Sequence, residues 1–206
     1  MHIRNALLFL SAVFAGAASA AEPISVFGLQ IGKPFAVPEC PFKKVSKTLN
    51  SYEFFTSYVC FQRTPGINGS EAGKGIDSAE DYVNIVWPRG SEPQVARYNS
   101  LSVQVIAGNL ERVSFGTMGV ESQARDMAML TEKFGSPTSG GESTAQNGYG
   151  AKMQVIRAEW KIGEVSVYYD SASSTFNSGS VRIQTIKGAA ASQAMLDKLN
   201  AGKQKL

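Results

Sequence analysis

Histidine is almost missing from this 206-residue chain, whose single copy is His2. Beyond that position the sequence cannot supply a Ser-His-Asp or Cys-His mechanism, and it offers no imidazole to zinc or haem. Cysteine is nearly as scarce: Cys40 and Cys60 are the only two, and they lie too far apart to form the CxxC of a thioredoxin-like enzyme. Charge of one sign is also in short supply. A formal net charge of +3, spread along the chain without a basic stripe, gives no footing for nucleic acid or an anionic membrane. The longest apolar run, near the N-terminus, falls short of the roughly twenty residues that cross a bilayer.

What the first residues do contain is a secretory pattern: Arg4, then Ala6 to Ala15 almost wholly apolar, then Ala18-Ser19-Ala20 before Ala21. A basic residue, a short apolar stretch and a small-residue cleavage site read as a Sec-type signal peptide over 1–20. No Cys follows the site, so the usual lipoprotein anchor is not expected. The sequence therefore predicts a periplasmic or secreted protein without a membrane span after cleavage. In such a compartment two cysteines default to one disulfide, Cys40 to Cys60. With both bridged, no thiolate remains as nucleophile or metal ligand, and we expect neither cofactor nor metal site.

Hydrophobic residues at 43% and charged residues at 18% describe a globular chain. Short strands dominate the pattern. They are expected at Ile24–Leu29, at Tyr52–Phe61 carrying Cys60, at Tyr82–Trp87, and in a hairpin of Leu101–Val105 with Leu110–Phe115 around Gly108-Asn109. Val120, Ala124, Met127, Leu130 or Thr131, and Phe134 recur at helical spacing, with Gly135 to cap the helix and Pro137 beyond it. Glu121, Gln123, Arg125 and Glu132 are expected on its wet side. Residues 63–80 and 135–151 read as Gly- and Ser-rich loops. Strands follow at Met153–Ile162 with Trp160 inward, Val165–Tyr169 after a turn at Gly163-Glu164, and Val181–Ile186. An alanine-rich helix from about Ala189 to Asn200, with Ser192 as a cap candidate and Gly202 as a stop, closes the chain. The predicted class is α+β, a mostly antiparallel sheet with one well-defined packed helix and a C-terminal helix. The expected division is a signal peptide over 1–20, a single domain over 21–188, and a helical tail over 189–206.

The segment Lys133-Phe134-Gly135-Ser136-Pro137, a loop, and then a strand with Trp160 resembles small exported bacterial domains of the BamE/OmlA and β-lactamase-inhibitor-protein type. Gly28-Leu29-Gln30-Ile31-Gly32 is similar to the start of certain proteobacterial periplasmic proteins. The resemblance implies a binding module that performs no chemistry.

Two function classes follow. The first is a non-catalytic protein-binding module of the inhibitor, immunity or envelope-accessory type, with another exported or envelope protein as partner. Tyr52, Phe54, Tyr149 and Tyr168 are its candidate anchors, together with Trp160 as a further binding candidate. Ordinary core packing accounts better for most of these aromatics. Tyr149 stands apart, because it sits between glycines in a polar stretch with little reason to bury it. The second class is a carboxylate-dependent hydrolase of cell-wall glycan or peptide, for which Glu159, Glu164 and Asp170 are the candidates. A small-ligand-binding protein is a third reading, with no ligand indicated.

Overall fold

The computed structural model describes residues 23–41, 43–44, 52–53, 56–63, 76, 80–96 and 101–203. The signal-peptide segment 1–20, Phe54, and most of the loop read over 63–80 lie outside them. Short paired strands β1 (Ser25–Val26) and β2 (Leu29–Gln30) begin the described chain, and β3 (Lys43–Lys44) pairs with β4 (Tyr52–Glu53). The main sheet holds β5 (Cys60–Arg63), β6 (Glu80–Val86), β7 (Leu101–Ile106), β8 (Asn109–Thr117), β9 (Ser139–Gln146), β10 (Lys152–Ile162), β11 (Val165–Thr175) and β12 (Ser178–Thr185). Between β8 and β9 a 3-10 turn (Gly119–Ser122) leads into helix α1 (Gln123–Phe134), and α2 (Ile186–Lys203) follows β12.

The fold is α+β, with an eight-stranded sheet ordered β5-β6-β7-β8-β12-β11-β10-β9 and every neighbouring pair antiparallel. Because side chains alternate across a strand, the register decides the core. Val83, Val103, Val113, Ile183, Val167 and Trp160 face one another in a row across six strands. Ile85, Leu101, Phe115, Val181, Tyr169 and Ala158 form the next row. Both rows are buried, and they are covered by Leu130, Met127 and Phe134 of α1 and by Val26, Phe27 and Leu29 of the first hairpin. Burying about twelve such side chains at 1.5–3 kcal/mol each supplies the main driving force for this face.

Several expectations are corrected. Ile24–Leu29 is a hairpin rather than one strand, since Phe27 and Gly28 both take positive φ and turn the chain between β1 and β2. Tyr52–Phe61 is divided: Tyr52 belongs to β4, Cys60 belongs to β5, and residues 56–59 between them are irregular. The β7–β8 turn falls on Ala107 and Gly108, one residue earlier than expected. The largest departure is over 135–151, where the expected loop contains the eight-residue strand β9. On α1, Ala124 is exposed while Asp126 is fully buried, and Gln123 is half-buried with hydrogen bonds to the Gln154 carbonyl and the Ile156 amide. Helix α2 begins at Ile186 and continues through Gly202 to Lys203, with Ser192 inside it, donating to the Gly188 carbonyl.

Cys40 and Cys60 form the expected disulfide. It holds residues 38–40 against β5, where the Cys40 amide donates to the Phe61 carbonyl at 2.8 Å and the Phe61 amide to the Pro38 carbonyl at 2.9 Å. No helix among the described residues is long and apolar enough to cross a membrane.

Candidate functional site

The face of the sheet opposite the core is polar by the same alternation. Tyr82, Gln104, Arg112 and Gln184 lie in one row, and Asn84, Ser102, Ser114, Arg182, Tyr168 and Glu159 in the next. Its two halves differ. Over β6 to β8 the side chains bond to each other: Tyr82 donates to Glu80 at 2.7 Å, Gln104 donates to Tyr82 at 2.8 Å, and the Arg112 Nε donates to Gln104 at 3.0 Å. Burial, more than the Glu80 contact, raises the Tyr82 phenol above its usual pKa, with Arg112 opposing. Helix α2 is anchored beside this half. Gly188 fits against the Glu111 backbone, Thr185 donates to the Glu111 carboxylate, and the Tyr82 hydroxyl reaches Met195 at 3.9 Å.

Over β9 to β12 the face is open and forms a groove of about 460 Å³, lined by residues that include Ser139, Arg157, Glu159, Tyr168, Asp170 and Arg182. Two of the three candidate acids therefore share one groove, while Glu164 sits exposed on the β10–β11 turn. Arg157 pairs with Asp170 at 3.0 Å, Lys161 lies 3.7 Å from Glu159, and Ser139 donates to Glu159 at 3.2 Å. The Arg182 guanidinium lies 5.8 Å from the centre of the Tyr168 ring. Each acid is thus occupied by a cation. A glycosidase pairs one carboxyl held as an acid with a second carboxylate that acts as base in inverting enzymes and as nucleophile in retaining ones. No cluster of Cys, Asp and Glu suited to a metal occurs among the described residues.

The aromatic candidates separate clearly. Trp160 is 1% exposed, and its indole N–H donates to the Gly135 carbonyl at 2.7 Å. It belongs to the core and closes the end of α1, so it presents nothing to a partner. Tyr168 is half-buried under Arg182, and the Tyr52 side chain lies outside the description. Tyr149 is 99% exposed. It stands at the tip of the β9–β10 hairpin, where Asn147 gathers the turn: its side-chain oxygen accepts from the amides of Tyr149 and Ala151, and its carbonyl accepts from the Gly150 amide.

A buried group that the sequence reading missed lies under α1. The fully buried Asp126 accepts from Ser122 at 2.6 Å and Tyr169 at 3.5 Å, and pairs with Arg125 at 3.2 Å. Burial first, and then the Asp126 charge, push the Tyr169 phenol well above its ordinary value. The unfolded phenol ionises near pH 10 while the folded one resists, so Tyr169 favours folding below about pH 10 and opposes it increasingly above. Stability should fall by roughly 1.4 kcal/mol for each pH unit in that alkaline window. Urea midpoints that decline between about pH 9 and 11 in the wild type, and decline less in Tyr169→Phe, would bear this out. Equal declines would refute it.

No protein-family model, no curated protein and no solved structure matches this chain.

Proposed function

We propose that the protein is an exported, non-catalytic binding module that engages another protein of the periplasm or envelope through its β9–β10 hairpin, with Tyr149 as the anchor. The observation that carries this reading is a fully exposed aromatic ring on a turn whose backbone is fixed by hydrogen bonds. A rigid aromatic loses little entropy on docking, and tyrosine is enriched among residues that dominate interface energies. The disulfide supports the export part of the reading, since such bridges persist in oxidising compartments. The groove acids give a hydrolase less support, each being matched by a cation.

The test is affinity capture from the native periplasm, read by mass spectrometry that also locates the N-terminus of the protein, expected at Ala21. One stoichiometric protein should be retained by the wild type, and Tyr149→Ala should weaken that complex by about thirtyfold, the effect of an interface hot spot of 2 kcal/mol. The thermal midpoint should not move, because the side chain is 99% exposed. An empty column, or equal retention by Tyr149→Ala, would overturn the reading.

A further inference from the structure

The two edges of the main sheet are treated differently. At β5, residues 38–40 are bonded to the outer side of the strand and stapled there by the disulfide. At β9, nothing among the described residues pairs with the outer side. Edge strands are commonly protected by lysine, proline, a bulge or brevity. Ser139–Gln146 is eight residues long, contains no lysine or proline, and pairs with β10 in an unbroken register from Ser139↔Glu159 to Gln146↔Lys152.

The register identifies the free backbone groups. The Asn147 amide donates to the Ala151 carbonyl at 3.0 Å, and bonded pairs recur at every second residue of an antiparallel ladder. Ala145 and Ser143 therefore bond to β10, while the amides and carbonyls of Thr144 and Glu142 point away from it. The residues opposite, Gln154 and Ile156, agree. The Gln154 carbonyl accepts from Gln123 and the Ile156 amide donates to Ser171, both turned away from β9.

We propose that β9 accepts, by strand addition, an extended segment of the partner protein that carries a lysine or arginine opposite Glu142. This rests on the binding-module reading above and names the form of the partner. Backbone donors and acceptors repeating along an open edge are complemented in register by another extended chain. The requirement for a cation comes from Glu142, the one charged residue of the strand, which is exposed and makes no ion pair among the described residues. A second copy would be a poorer occupant, because its β9 has no cation to offer. Gly141, with open space where a side chain would stand, leaves the neighbouring part of the edge unobstructed.

The experiment selects a displayed library of random linear peptides against the full chain and examines the binders by amide hydrogen exchange and titration. Selected peptides should be rich in lysine or arginine and should slow exchange at Glu142 and Thr144. Thr144→Pro removes one outward N–H at a position where the internal ladder does not use it, and should weaken those peptides by about tenfold. Glu142→Lys should weaken them by roughly twofold to fivefold, the range of a cross-strand charge pair. Exchange in the wild type carries the test even if Thr144→Pro fails to fold. Peptides that leave these two amides unprotected, or a library that yields no binder, overturn strand addition. Failure of the binding-module reading is seen separately, in the periplasmic capture with Tyr149→Ala.

Discussion

Replacing Cys40 and Cys60 together by alanine should lower the unfolding free energy by about 3 kcal/mol, the entropy that a bridge of this span removes from the unfolded chain. The sequence separation is 20, and both cysteines are buried, at 3% and 0% exposure. Two backbone hydrogen bonds to Phe61 hold 38–40 to the sheet beside the bridge. Without the bridge those bonds are free to open, and β5 would become a second exposed edge. The loss should therefore appear twice: as a lower urea midpoint, and as concentration-dependent association of the double variant near that midpoint. Reduction of the wild type should reproduce both effects. A midpoint unchanged by reductant would show that the segment stays docked without the bridge, and the stapling role would be wrong.

The same asymmetry between edges explains what was legible in the sequence. Strands β7, β8, β10, β11 and β12 have one dry face and one wet face, so apolar and polar residues alternate along them and the pattern can be read directly. Strand β9 borders solvent on nearly every side chain. With little to bury, it is free to be built from Ser, Gly, Glu and Thr, the composition of a loop. Its glycine pair does carry a signal, of a kind that composition alone does not decode. A Cβ on Gly140 would stand 2.2 Å from the Arg157 carbonyl, so glycine there permits close strand contact instead of marking a turn.

Helix α1 shows the converse. Gly135 and Pro137 announced where it ends, and Gly135 does take positive φ at the cap. Its inward face is legible at Met127, Leu130 and Phe134, whereas Ala124 is exposed and the buried Asp126 escapes notice, because a carboxylate is ordinarily assigned to the surface. Asp126 points inward because Ser122, four residues earlier, and Tyr169, on a distant strand, are placed to satisfy it. The first partner could have been suspected from helical spacing. The second depends on tertiary contact and has no local signature. Tyr149 was readable for a simpler reason. Glycines on both sides and a polar context leave no surface on which to bury a ring, and its exposure follows.

Trp160 had the opposite fate, and its replacement should be costly. Trp160→Ala should destabilise the fold by roughly 3–5 kcal/mol, the range for emptying a buried tryptophan site. Two contributions combine. The ring lies in the buried row that crosses six strands and sits beside Phe134, with centroids 6.4 Å apart, so its removal leaves a void between α1 and the sheet. The indole N–H also satisfies the Gly135 carbonyl just past the end of α1, where helix-terminal acceptors have no partner within the helix. Trp160→Phe separates them. It retains much of the apolar contact and deletes the donor, and should cost about 1–3 kcal/mol, the range for a polar group left without its bond. Denaturant midpoints for the two variants should therefore stand in the order wild type, Phe, Ala. If Trp160→Ala were nearly neutral in stability but lost the captured partner, the residue would be an interface anchor and its placement in the core would be wrong.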